Sequence, residues 1–168
     1  MRTDYGVELL KYERYVPQAS DYLEDNQLIS GGFSCVIATS VFEHLRFREE
    51  FEEINRLVGR KGVLGIHTLV SEAVPQDPSW FYLVPVHSTF HTNKSMQMLF
   101  EQWDYTCSVY SVEAQLWLWL RDAPERVALI VTEANSRPLG PFYVYKQGFV
   151  DYWKTAPYRS AETSGKIA

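Results

Sequence analysis

Phe33-Ser34-Cys35-Val36-Ile37-Ala38-Thr39-Ser40-Val41-Phe42-Glu43-His44-Leu45 is the stretch that decides the fold. Within it, Ser34 to Ser40 is a near-continuous apolar run. Such a run fits a strand covered on both faces, as in a parallel sheet, because a half-solvated strand would alternate. A helix should follow over Leu45 to Val58, where Phe47, Phe51, Ile54 and Val58 recur at helical spacing on one face. Arg48, Glu52 and Arg56 lie between them at intervals of four, which allows supporting ion pairs. Gly59 and Gly62 are expected to stop the helix and turn the chain, and Val63 to Thr68 reads as the next buried strand. Strand, helix, strand in this order predicts two adjacent parallel strands joined by a right-handed helical crossover.

The same reading extends outward. Val7 to Tyr12 reads as a short strand, followed by a loop with Pro17, Asn26 and Gly31-Gly32 as breakers. Val70 to His91 is a long irregular stretch with three prolines and the aromatic run Trp80-Phe81-Tyr82, too aromatic for simple disorder. Thr92 or Asn93 can cap a helix whose apolar face is Met96, Leu99, Phe100 and Trp103. Tyr105 to Ser111 and Gln115 to Leu120 predict an antiparallel hairpin, and Pro124 opens a third helix to about Asn135. Arg137 to Lys154 is an aromatic cluster with Phe142, Tyr143, Tyr145, Phe149, Tyr152 and Trp153. The fold class is therefore α/β, a parallel core ending in an antiparallel hairpin. Residues 1–121 form the core, and 122–168 a C-terminal helix and aromatic extension of the same domain.

A chain of 168 residues suits one domain, and such a length buries roughly 70% of the unfolded surface. With 46% hydrophobic residues, disorder throughout is excluded. The net charge of −5, with no dense run of Lys and Arg, disfavours nucleic acid as a partner. No apolar run is long enough to span a bilayer, so no membrane partner is expected. Cys35 and Cys107 sit in apolar runs and read as buried free thiols. With no apolar signal segment at Met1 to Gly6, the expected location is cytoplasmic.

Several segments, in order, resemble class I S-adenosylmethionine-dependent methyltransferases. Phe33 to Leu45, with Glu43-His44-Leu45 opening the turn, is similar to that family's fourth strand and following turn. Arg56-Leu57-Val58-Gly59-Arg60-Lys61-Gly62-Val63-Leu64 resembles its helix end, Lys-Pro-Gly-Gly-like turn and fifth strand. His87 to Met96 resembles the His-x-Ser-Phe-Phe-Thr segment of one subgroup. Together the segments cover Val7 to about Leu120. Three departures stand out: Ser34 replaces a usual Asp, Asp104 replaces a usual helix-ending Gly, and no Gly-x-Gly-x-Gly turn precedes Val7. Gly59, Gly62 and Gly65 straddle a helix-to-strand turn, the wrong context for a cofactor loop. The resemblance thus implies a partial Rossmann-like sheet, N-terminally truncated, with the first strand and its glycine-rich turn missing. Met1 to Tyr5 would be the last turn of the first helix.

The resemblance also implies S-adenosylmethionine as cofactor and a small-molecule or saccharide acceptor. Glu13, after the strand Val7 to Tyr12, would accept the two ribose hydroxyls, because a carboxylate offers two oxygens to two adjacent donors. Asp21 reads as a solvated loop residue, with the adenine amino group as its other possible partner. Ser40, Val41, Phe42, Glu43 and His44 leave the sheet at a strand's C-terminal end and would line the methionine part. That edge is where open α/β sheets bind ligands. A plain helix cap with His44 packed on the sheet is the alternative.

His87 would stand beside the transferred methyl as general base for a hydroxyl, since imidazole titrates near neutrality. A structural histidine satisfied by loop carbonyls is its alternative. His87 and His91 are four apart, yet they precede the helix and lack a third ligand, so no metal is expected there. Trp80 and Tyr82 would wall the acceptor pocket, with core packing as their alternative, and His67 at a strand end would face it too, ranked below His87. No Gly-x-Ser-x-Gly elbow or electropositive cysteine points to nucleophilic catalysis. Two other readings stay open: a non-catalytic methyltransferase-like remnant or interaction module, and a split enzyme completed by a second chain. A missing first strand would expose an edge, so self-association is expected.

Overall fold

The computed structural model describes residues 9–14, 22–137 and 142–151. Strand β1 (Phe33–Thr39) and strand β2 (Val58–His67) lie side by side and parallel, with Val36 opposite Leu64 and Ala38 opposite Ile66. Helix α1 (Arg48–Leu57) connects them, and Arg48 pairs with Glu52 at 3.4 Å. The chain continues through β3 (Val70–Ser71), β4 (His91–Thr92) and helix α2 (Asn93–Gln102). Thr92 caps α2, its hydroxyl accepting the Ser95 amide at 3.2 Å. Strands β5 (Cys107–Ser111) and β6 (Leu116–Leu120) form the expected hairpin, followed by helix α3 (Pro124–Asn135) and β7 (Tyr143–Gln147).

The main sheet is mixed and five-stranded, in the order β1-β2-β6-β5-β7, while β3 and β4 pair separately. Strand β6 runs against both β2 and β5, so β2 and β5 run the same way. On one face an aromatic and aliphatic core gathers Phe42, Phe51, Leu64, Ile66, Met96, Phe100, Trp117 and Trp119. On the other, Val127 and Val131 of α3 pack on Cys107 and Val109. Helix α3 packs chiefly on β7 and β5, with Leu118 and Leu120 of β6 beside the same cluster.

Four expectations need correction. Helix α1 begins at Arg48, not Leu45. Phe42–His44 makes a separate 3₁₀ turn, Leu45 drops into the core, and Glu50 reaches back to accept the Arg46 and Phe47 amides at 2.6 and 2.9 Å. Gly59 and Gly62 do not end the helix, because Val58 already sits in β2 opposite Phe33. They belong to a bulge in which the pairing jumps from Phe33–Val58 to Cys35–Val63. A Cβ at Gly62 would stand 2.8 Å from Val58 Cγ1 and 2.9 Å from the Gly59 oxygen, so no side chain fits there.

Third, the described part of Val7 to Tyr12 is not a sheet strand. It makes one isolated bridge, Lys11 to Tyr22, and leaves Leu9 and Leu10 exposed. Its anchors are polar: Arg14 to Glu53 of α1 at 2.9 Å, and the Tyr12 hydroxyl to Asp25 at 2.7 Å. Fourth, Cys107 is buried but Cys35 is exposed, since it points to the uncovered side of β1. The expectations for Met1 to Tyr5, Asp21, Tyr152 and Trp153 lie outside the described residues. At the end of α2, Asp104 adopts φ 55°, the left-handed conformation that a helix-ending glycine takes.

Candidate functional site

Strand β1 ends at Thr39, and Ser40 turns the chain with φ 52°. A non-glycine residue in that region is strained, and such residues concentrate at functional turns. The Ser40 amide donates to the His67 carbonyl at the end of β2, 2.9 Å away. The turn Phe42–His44 follows at once, so these residues stand at the C-terminal ends of two parallel strands.

The loop between β3 and β4 folds back onto this turn. The Ser88 and Thr89 amides donate to the Glu43 carbonyl at 2.8 and 3.1 Å, and the Thr89 hydroxyl to the Leu45 carbonyl at 2.5 Å. This return brings the His87 ring to 5.0 Å from the His44 ring, edge to face. The Tyr82 ring lies 4.2 Å from His87, and the Trp80 ring packs at a tilt against Tyr82 at 5.6 Å and Phe90 at 5.3 Å. Burial pushes the Tyr82 phenol above its ordinary value, so at neutral pH it is a proton donor and not a base.

Not every sequence candidate belongs to this cluster. Phe42 is fully buried, ring-packed against Phe51 and His91, and its side chain serves the core. Glu43 is buried too, its carboxylate accepting the Thr68 hydroxyl at 2.9 Å. Ser40 and His44 are exposed and Val41 is half-buried, so these three remain able to line a ligand. His67 ends β2 with a buried Nδ1 that has no described partner. Glu13 follows residues 9–12, which make one isolated bridge and no strand of the sheet, and precedes Arg14, which is tied to α1, so it lacks the strand-end placement on which its ribose role depended.

The pairing of His44 with His87 was invisible in sequence. His87 and His91, four apart in sequence, lie in different surroundings: 87–90 have no regular secondary structure, and His91 is buried in the core. There its Nε2 lies 3.4 Å from the Phe42 carbonyl, and Nδ1 has no described partner.

Burial holds the His91 pKa below its ordinary 6.5, against weaker upward pulls from the Phe42 carbonyl and Glu43. The folded value being depressed, the unfolded chain takes up the proton first as pH falls. Stability should therefore be insensitive to this group above pH 6.5 and decline below it, with a slope of at most ~1.4 kcal/mol per pH unit. Urea unfolding between pH 7.5 and 5 measures it, and His91→Phe should flatten the profile. An unchanged slope in His91→Phe would assign the acid sensitivity elsewhere.

Neither a protein-family model nor a curated protein matches the chain.

Proposed function

We propose that this chain is a methyltransferase-type α/β domain that uses S-adenosylmethionine to methylate a small-molecule or saccharide acceptor. The observation that carries the reading is the sheet's ending. An antiparallel hairpin follows the last helix-crossed strand, and the strand-end turn Ser40 to His44 opens beside it. Both features are what the sequence resemblance implies. The residues fit the cofactor in part. Ser40, Val41 and His44 are accessible at the strand ends, whereas no glycine-rich turn with its backbone donors occurs in the 168 residues.

The cofactor's sulfonium makes its methyl carbon electrophilic, so no enzyme nucleophile is required. The chain's own work is alignment and proton removal. The Tyr82 carbonyl lies 2.8 Å from His87 Nδ1 and can only accept, so Nδ1 carries the proton and Nε2 keeps the lone pair that can take an acceptor's proton. Tyr82 and Trp80 supply aromatic wall beside it.

Heteronuclear NMR titration with S-adenosylhomocysteine tests the reading. The expected result is fast-exchange shifts centred on Ser40, Val41 and His44, with a Kd no tighter than about 1 mM, or roughly −4 kcal/mol. Shifts elsewhere that spare this turn would overturn it. The absent glycine turn favours one second reading, a non-catalytic module of the same fold, and that reading expects no shifts at all.

A further inference from the structure

We infer that Glu43, His44 and His87 form a binding site for one divalent transition-metal ion. One donor atom from each lies within 4.8 Å of the other two. Three features make the group more than a coincidence of polar side chains.

The first is charge. Glu43 is only 3% exposed, and among the described residues no Lys or Arg pairs with it. A buried carboxylate without a counter-charge is costly, and a bound cation offsets that cost. The second is the state of the rings. His44 Nδ1 lies 2.9 Å from the Val86 carbonyl and His87 Nδ1 lies 2.8 Å from the Tyr82 carbonyl. Each carbonyl can only accept, so both protons are on Nδ1 and both lone pairs on Nε2. Backbone carbonyls gripping the far nitrogen are the outer shell that metal-bound histidines have. The third is placement. Glu43 is fixed by Thr68 and by the Ser88 and Thr89 amides on its carbonyl, while His44 faces solvent. Ligands on zinc at about 2.0–2.2 Å sit roughly 3.3 Å apart. Drawing the three donors in from within 4.8 Å to that spacing is the adjustment that zinc binding requires.

Two imidazoles and a carboxylate suit zinc or iron(II), not calcium or magnesium, which prefer oxygen donors throughout. Three protein ligands leave a position for water or an acceptor oxygen. A metal here takes the lone pair that proton removal by His87 would use. Ionisation of a bound hydroxyl would then be promoted by the metal. That last consequence alone rests on the methyl-transfer reading. Zinc binding is tested without cofactor or acceptor, so its failure is distinct from failure of the S-adenosylhomocysteine titration.

Calorimetric titration of the whole chain with zinc chloride should give one ion per chain. Glu43→Gln, His44→Ala and His87→Ala should each weaken binding by more than the roughly 10–100-fold that outer-shell changes cost. Cys35→Ser should leave it unchanged. Cobalt(II) should give a visible d–d band without thiolate charge transfer. Should a variant fail to fold, diethylpyrocarbonate labelling of the unsubstituted chain decides. Zinc should protect His44 and His87 from modification. Equal affinity in the histidine variants, loss of binding in Cys35→Ser, or unprotected His44 and His87 would each overturn the site.

Discussion

Trp119→Ala is expected to cost the domain about 3–5 kcal/mol, the loss seen when a large core aromatic is truncated. Domains of this size hold only about 5–15 kcal/mol in total, so the variant should be near the edge of folding at room temperature. Trp119 is fully buried on β6, with Phe100, Trp103, Tyr105 and Phe149 at ring-centre distances of 5.6 to 6.1 Å. It therefore joins α2, the segment after α2 and the C-terminal end of the described chain to one sheet position. Urea unfolding measures the loss, and a value under about 1 kcal/mol would contradict this packing.

A sharper comparison sets Trp119→Phe against Trp117→Phe. The Trp117 indole donates to the Val150 carbonyl at 3.1 Å, while the buried Trp119 indole has no described acceptor. An unmet buried donor costs about 1–3 kcal/mol, which phenylalanine removes. Trp119→Phe should accordingly be the milder of the two, and the reverse order would refute the assignment.

The strength of this core explains why much of the fold was legible. Strands β1 and β2, the hairpin β5–β6 and α3 over Pro124–Asn135 stand where the apolar runs and Pro124 predict, but β1 is not covered on both faces as its apolar run suggested: only Ala38 is buried, and Ser34, Cys35, Ile37 and Thr39 are exposed. Strand β7 was not legible, because Tyr143 to Tyr145 is half-buried throughout and shows no alternation. Its pairing with β5 is a long-range fact. The start of α1 was hidden for a different reason: Phe47 fits the helical stripe, yet it is 65% exposed and lies ahead of the helix. There the Glu50 cap outweighs periodicity.

The candidate site divides in the same way. Ser40 to His44 could be placed at a strand end from local pattern, since a strand's end is a local property. The approach of His87 could not, because it depends on the Ser88 and Thr89 amides finding the Glu43 carbonyl across more than forty residues. Spacing rules see partners on one helix or one strand, and His44 and His87 share neither.

The open edge of the sheet leads to the second large effect. Strand β1 ends the order, and among the described residues nothing pairs with its outer side. The face beyond α3 is also bare: Ile37 is 48% exposed and lies over Gly65, where an added Cβ would stand 3.3 Å from Ile37 Cγ1 and 3.5 Å from Leu118 Cδ2. Unpaired backbone beside exposed apolar side chains is a template for another strand. The chain is expected to self-associate through β1, with a sedimentation coefficient that rises with concentration. Ile37→Lys should leave it monomeric, because an edge lysine cannot be desolvated cheaply. Cys35 supplies a second readout in the same strand, being exposed in the single chain. Its reaction with a thiol reagent should be fast at high dilution and slow in the associated state, while Ile37→Lys should react fast at all concentrations. The substitution adds a charge at a solvent-facing site and removes no buried contact of the Trp119 core, so its urea midpoint should stay close to that of the parent. A parent chain that sediments as a monomer over a hundredfold range of concentration, with uniformly fast Cys35 labelling, would show that the β1 edge is silent in solution.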